Sequence, residues 1–447
     1  MPAPGAEGIA PEFDAIEQAV SETTNPASKS RFTIHREFFK DGKGDPAKAA
    51  RVKEATKLAA ALTAALAIAA CSNASPGVPV LPAQSAERAD FVRQWWTAHA
   101  RPVCRGSRQG QAQCDLMIES TQANPEVGGW GPSNLQQAYD LPTSSKGSGQ
   151  IVAIVDAYDN PNVASDLAAY RLQYGLGSAS FFKYNQEGLQ SNYPRGNHYW
   201  GGEIDLDVEM VSASCPLCTI YLIEADNNRF ATLKIAEAEA VKLGARVVSN
   251  SWGGHGGDLT GSSFETPGVT YLASAGDSGY GMQQPASYER VVSVGGTVLR
   301  QNGSKYSESV WRGTGGGCSA VSKPAWQHDP GCSHRTGNDV AAVATSVAEY
   351  DTYGFGGWMV AGGTSISSPL LAGVYGLAGN ARSQNGGKRF WTLKKRLLVK
   401  ELHVISKGTD GCPGSLNGSY LCTAGTGQFG TYSGPTGWGT PNGIGAF

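Results

Sequence analysis

The stretch Gly147-Ser-Gly-Gln-Ile151-Val-Ala-Ile-Val155-Asp156-Ala-Tyr-Asp159 decides the fold. Residues 151–155 are five apolar residues in a row, without the alternation of a strand wetted on one face. Such a run suits a strand buried on both faces of a parallel sheet. Asn160-Pro161 punctuates it, and a helix is expected over 163–170. The alternation then recurs: helix 203–212, strand 219–223, helix 230–243, strand 246–249, then strands 269–274 and 291–294. This order predicts an α/β domain with a mostly parallel central sheet flanked by helices. Ligands of such sheets bind beyond the carboxyl ends of the strands, where Asp156, Asn250 and Asp277 fall.

Composition narrows the function. The chain has 447 residues, 36 Lys and Arg against 38 Asp and Glu, and a net charge of −2. No basic stripe or aromatic-basic alternation marks a nucleic-acid surface. Seven histidines occur without an HExxH pattern, so zinc catalysis has no support. With 59 glycines and 23 prolines the chain reads as loop-rich and exported, and nothing calls for more than a monomer.

Residues 58–70 form an Ala/Leu run too short to span a bilayer, preceded by Lys53 and Lys57. It reads as an export signal, and Ile68-Ala-Ala-Cys71 resembles a bacterial lipobox. Lipidation at Cys71 and simple cleavage both stand open, as does a buried alanine-rich helix. The internal position points to a start further downstream, with Val52 as a candidate. The expected location is secreted, periplasmic or outer-membrane-anchored in a bacterium. Setting Cys71 aside, eight of the nine cysteines fall into close neighbours: Cys104/Cys114, Cys215/Cys218, Cys318/Cys332 and Cys412/Cys422. Four local disulfides fit an oxidising compartment, although spacing alone does not settle connectivity. The expected organisation is an extension over 1–71, a linker with a disulfide over 72–130, and a catalytic domain over 131–447 whose end, 404–447, is loops.

Two motifs carry chemistry. Gly362-Gly-Thr-Ser365 precedes an apolar helical run that contains Pro369. A serine at a helix N-terminus sits beside free N–H groups able to face an oxyanion. The plain alternative is a helix cap, worth about 1 kcal/mol. Glu203 and Asp207 are four apart, so a helix puts both on one face, where close carboxylates raise each other's pKa. Asp205 and Glu209 form a competing pair, and a helix that merely solvates one face is the bland reading. Asp277, in Ser274-Ala-Gly-Asp-Ser-Gly279, is either a protonated oxyanion donor or an Asx turn. Asn250 reads as structural or as a wall of the substrate site. Asp156 invites an Asp-His-Ser triad, but the nearest histidine, His198, has the wrong surroundings for one.

In this order the motifs resemble the sedolisins, serine-carboxyl peptidases with a subtilisin-like fold. The matching segments are 151–161, Glu203-Ile-Asp-Leu-Asp207, Ser249-Asn-Ser-Trp-Gly253, Ala273 to Gly279, Gly295-Gly-Thr297, Trp311 through Gly317 and Pro324 to Gln327, Gly357-Trp358, and Gly362 to Ser365 with Pro369. They span most of 130–447. The resemblance implies Ser365 as nucleophile, Glu203 as base and acid, Asp207 as its orienting partner and Asp277 as oxyanion donor. The implied activity is acid endopeptidase cleavage of protein or peptide substrates; the competing class is a silent relative that binds at a surface. Two departures stand out. No segment resembles the family's large prodomain, so autocatalytic removal of a full prodomain is not expected. The family's calcium carboxylates are replaced by His403-Val-Ile405 and Gly437-Trp-Gly439, with Asp410 as a partial rescue, so no metal or other cofactor is expected.

Overall fold

The structure, a computed structural model, describes residues 100–447 apart from 105, 107, 121–127 and 257–260. The signal-like run, Cys71 and the 1–71 extension lie outside the described residues, and the described residues fall within one compact unit.

In chain order, β1 (Arg101–Pro102), β2 (Gln113–Cys114), β3 (Met117–Ser120) and α1 (Pro132–Ala138) precede β4 (Ile151–Ala157). Then come α2 (Val163–Gln173), β5 (Ser180–Asn185), α3 (His198–Ser214), β6 (Thr219–Ala225), α4 (Phe230–Lys242), β7 (Val247–Asn250), β8 (Trp252–Gly253) and β9 (Thr270–Ser274). The hairpin β10 (Val291–Asn302) and β11 (Lys305–Val310) comes next, then β12 (Gly317–Ser322), β13 (His334–Gly337), β14 (Val340–Val343), β15 (Val347–Asp351) and β16 (Gly357–Gly362). Helices α5 (Thr364–Ala378), α6 (Lys388–Thr392) and α7 (Lys395–Glu401) and the short pair β17 (Leu402–His403) and β18 (Thr440–Pro441) complete the chain.

The central sheet runs β11-β10-β9-β7-β4-β6-β5, with β14 also beside β10. Every pairing in it is parallel except the β10–β11 hairpin. The expected mostly parallel sheet is therefore present. The apolar run at 151–155 is an interior strand, between β7 and β6, with Val152 through Val155 at 0% exposure. Strand β5 is an addition to the expected order, because Ser180-Phe-Phe-Lys-Tyr-Asn185 is an edge strand of mixed polarity.

Helix α3 begins earlier than expected because the Asn197 side chain caps it, accepting from Tyr199 N at 3.0 Å and Trp200 N at 3.3 Å. Every residue from Trp200 to Ser214 is buried. The reading of a helix with one solvated face is thereby corrected: α3 packs against α2, α5, β4 and β15, and all its sides are covered. Helix α5 is buried from Thr364 to Leu377 and packs along α3. Its N-cap, Gly363, has φ 109°, and an added Cβ would collide with the Asp115 carbonyl oxygen. Glycine is the residue that backbone and that contact both allow.

A second, antiparallel sheet runs β1-β3-β16-β15. Strand β2 pairs with β8. Residues 101–120, expected as the approach to the domain, are thus hydrogen-bonded into it. All four expected disulfides form, with Cα–Cα separations of 5.4 to 5.8 Å. Cys215–Cys218 closes the end of α3 in a buried position, as a structural link would. The last forty residues are mostly loops, with Trp391, Tyr420, Phe429, Tyr432 and Trp438 clustered beneath them. Among the described residues no helix is long and apolar enough to cross a membrane.

Candidate active site

Four elements converge beyond the carboxyl ends of the central strands. Helix α3 contributes Glu203 and Asp207, β4 ends in Asp156, the loop after β9 carries Asp277, and α5 begins at Thr364-Ser365. Glu203, Asp207, Asp156 and Ser365 are at 0% exposure. Burial in a low-dielectric interior disfavours the ionised form of each acid.

Glu203 is held well above the usual carboxylate range, first by burial and then by the charges of Asp207 and Asp156; contact with the Ser365 hydroxyl works the other way. Neither Glu203 oxygen makes a well-aligned hydrogen bond. The Ser365 Oγ donates instead to Ser251 O at 3.3 Å, a weak bond that a closer acceptor can displace. Asp207 is raised by burial and by Asp156, and the Ser251 hydroxyl, donating to its Oδ1 at 2.6 Å, lowers it. Asp156 is raised to about 8 by burial, with both oxygens unpartnered. Glu203 feels the charges of Asp207 and Asp156, and Asp207 that of Asp156, so the three titrate as a group.

Pro369 has a role here. It has no N–H, so the carbonyl four residues earlier, that of Ser365, is left out of the helical ladder. That carbonyl lies 3.4 Å from Ser251 Oγ. Ser251 therefore touches Asp207, the Ser365 carbonyl and, through its own backbone oxygen, the Ser365 hydroxyl.

Asp277 is organised asymmetrically. Thr364 N and Thr364 Oγ1 both donate to its Oδ1 at 2.8 Å. Its Oδ2 is buried, unpartnered and against Gly363. Burial and the nearby Asp115 charge raise its pKa well above normal, and the two Thr364 bonds lower it.

Comparison with known proteins finds relatives of the same fold. The subtilase family model (Peptidase_S8) matches residues 192–401. Kumamolisin of Bacillus sp. (strain MN-32) is 29% identical over 388 residues, covering 77% of this chain and 67% of the relative. Sedolisin of Pseudomonas sp. (strain 101) is 26% identical over 365 residues, covering 70% of this chain and 60% of the relative. The solved structure of the Pseudomonas sedolisin, a serine-carboxyl proteinase complexed with two molecules of pseudo-iodotyrostatin, superposes with a TM-score of 0.59 at 25% identity. That superposition covers 72% of this chain and 96% of the sedolisin chain. The chain is a sedolisin-like protein of subtilisin fold.

Within this sedolisin-like framework, Ser365, Glu203, Asp207 and Asp277 meet at one site. Asn250 does not face it: its Nδ2 donates to Leu272 O at 3.1 Å, tying β7 to β9. His198 is remote in function, its Nδ1 bonded to Tyr353 O at 2.8 Å, and it serves neither Asp156 nor Ser365. Ser251, Thr364 and Asp115 join the site without a signal of their own in the sequence. The first two sit inside quoted motifs; Asp115 lies in a stretch with no periodicity to flag it.

Among the described residues two clusters of possible metal ligands occur. Asp410 lies with Cys412 and Cys422, but those sulfurs are joined to each other, leaving one carboxylate. A calcium ion takes six to eight oxygens, so these side chains do not fit it. Asp166, Asp205 and Asp351 form the other group, buried, with oxygen atoms within 4.8 Å of one another. Its Asp205 projects from α3 on the face opposite Glu203 and Asp207.

Proposed function

We propose that the chain is a serine-carboxyl endopeptidase acting on proteins and peptides in acid. Ser365 Oγ attacks the scissile carbonyl while Glu203 takes its proton, and Asp207 shares that proton and orients Glu203. Protonated Asp277, donating from Oδ2, and the Ser365 N–H stabilise the oxyanion. Glu203 returns the proton to the leaving amine. Water, deprotonated by the same carboxylate, then hydrolyses the acyl-enzyme.

The observation that carries this reading is the burial of Glu203, Asp207 and Ser365 in one contact group, without a histidine. A carboxylate pair holding one proton accepts from serine only while it is not fully protonated. Asp277 can donate only while it is protonated. Activity therefore falls at low pH as the pair fills, and falls again as pH rises through the raised pKa values of Asp277 and the pair.

We further propose export, with the signal-like run over 58–70 and four disulfides as its support, and lipidation at Cys71 as one outcome of processing. The monomeric state, the domain division at 71 and 130, and the absence of calcium near Asp410 belong to the same proposal. Digestion of denatured casein from about pH 3 to about pH 7 tests the chemistry. Wild type is expected to cleave at the acid end and Ser365→Ala to be inert. Cleavage unchanged by Ser365→Ala would sink the assignment, and an inert, folded wild type would favour the surface-binding alternative.

A further inference from the structure

Where α2, α3 and the end of β15 meet, Asp166, Asp205 and Asp351 each bring one oxygen within 4.8 Å of the other two. Their exposures are 2%, 0% and 0%. An ionised carboxylate in the interior is costly unless hydrogen bonds and a cation compensate it. Among the described residues no lysine, arginine or histidine forms an ion pair with any of the three. Lys183, whose charge lowers the pKa of Asp205, is itself engaged by Asp159 at 2.5 Å and Glu224 at 3.6 Å.

Neutral donors orient each carboxylate. Thr352 Oγ1 and Thr352 N donate to Asp166 Oδ1 at 2.8 Å and Oδ2 at 2.9 Å. Asn160 Nδ2 donates to Asp205 Oδ2 at 2.6 Å, and Gly354 N donates to Asp351 Oδ1 at 2.7 Å. The remaining oxygens, Asp205 Oδ1 and Asp351 Oδ2, are buried and have no hydrogen-bond partner. Asp351 Oδ2 is aimed at α3. It lies 3.3 Å from where a Cβ on Gly202 would stand, and Gly202 is three residues before Asp205 on the same helical face. Glu349, two residues before Asp351 and so on the same face of β15, has both oxygens buried and unpartnered as well. Ligating carboxylates are held from behind by hydrogen bonds in just this manner. The cover is thin: exposed Thr352 accepts from Asn162 Nδ2 at 2.9 Å and sits directly over Asp166.

We propose that Asp166, Asp205 and Asp351 form a calcium site that ties α2, α3 and β15 together. Calcium holds oxygens at about 2.3 to 2.6 Å, so ligands on opposite sides of one ion stand about 4.6 to 5.2 Å apart, and the three carboxylates fit within that span. They offer up to six oxygens, which reaches the lower end of calcium's coordination number. The group has no sulfur and no imidazole, the donors that zinc and copper favour. Asp205 and Asp351 supply the unpartnered oxygens, and Thr352, Asn160 and Gly354 fix the direction of the ligands. The site is structural: its residues perform none of the steps assigned to Ser365, and it stands apart from the peptidase reading.

Calorimetric titration of the full chain with calcium chloride, after stripping with EDTA and exchange to about pH 7, tests this. One ion per chain is expected to bind at this group. At a free calcium concentration about 100 times the Kd, the unfolding constant in urea should be about 100-fold smaller than in EDTA. Asp205→Asn and, separately, Asp351→Asn should weaken binding at least about tenfold, since each removes a charged ligand. Thr352→Val, at an exposed position that leaves the interior packing alone, should weaken it by about tenfold through loss of the bond that orients Asp166. Asp410→Asn should leave binding unchanged. A folded chain that takes up no calcium at roughly 10 mM overturns the proposal, as does calcium binding that survives Asp205→Asn or Thr352→Val undiminished. Neither result touches the peptidase reading, which is read separately from casein cleavage in acid. A chain that binds calcium as expected but leaves casein intact removes that reading and keeps this site.

Discussion

Glu203 and Asp207 on one face of α3, and Asp205 and Glu209 on the other, have the same spacing and the same 0% exposure, yet they face different surroundings. The first pair meets Ser365 and the Ser251 hydroxyl. The second meets more acids: Asp205 is raised by burial, then by Asp351 and Asp166, and Glu209 by burial, then by Asp205 and Glu349. Its hydrogen bonds come from Asn160 Nδ2 at 2.6 Å and Tyr350 N at 3.1 Å. What separates the two pairs is the Ser365 hydroxyl, which Glu203 contacts and the second pair does not face. The strength of the pKa perturbation does not separate them, because both pairs are raised.

The sharpest break between the two faces is catalytic. Glu203→Gln or Ser365→Ala should lower casein cleavage by about 10⁴-fold or more, whereas Asp205→Asn should leave it within about threefold. Equal losses from Glu203→Gln and Asp205→Asn would erase the distinction. Next in size, Asp277→Ala should cost about 10²- to 10³-fold in kcat, the range for one oxyanion donor. Asp277→Asn should keep more activity, since its amide donates without a proton to lose. Its pH profile should extend further upward, read from kcat between about pH 4 and about pH 8.

Both faces should destabilise the fold in base. Asp115 and Asp410 are raised by burial to about 7, Glu119 and Asp156 to about 8, and Glu224 to about 9. Acids raised on folding bind more protons in the folded chain than in the unfolded one. Their stability is therefore present in acid and is lost as pH rises from the ordinary carboxylate range through these values. The free energy of unfolding, read by urea denaturation, should fall steadily from about pH 4 to about pH 9, by several kcal/mol in total. A maximum at neutral pH would contradict it. The smallest effect belongs to the second face: Glu349, raised by burial and then by Asp351, Asp205 and Asp207, has both oxygens unpartnered. Glu349→Gln should gain about 1 kcal/mol at about pH 8 and nothing at about pH 4, read by urea unfolding at each pH.

Much of this was legible beforehand because it is local. The run at 151–155, the glycine-flanked Asp277 and the Thr364-Ser365 helix start each announce themselves within a few residues. So did the four disulfides, whose partners lie within 14 positions of each other. Strand β5 escaped because its edge position leaves it neither uniformly apolar nor cleanly alternating. The start of α3 escaped because Gly201-Gly202 stand within its first turns, where glycine disfavours a helix.

By itself the sequence determined the α/β order, and it singled out Ser365, Glu203, Asp207 and Asp277 as candidates. Only the tertiary structure decided that α3 would be buried on every side. Four carboxylates at i, i+2, i+4 and i+6 are a solvated pattern by any local rule, and what overrides it is cover from α2, α5, β4 and β15. Tertiary structure also decided that Gln113 and Cys114, which carry no pattern of their own, pair with Gly253 and Trp252, and that Met117 and Ile118 pair with Gly362 and Ala361. A strand acquires its partners from backbone donors and acceptors, which every sequence has, so the partnership is visible only once the two edges that grip it are in place.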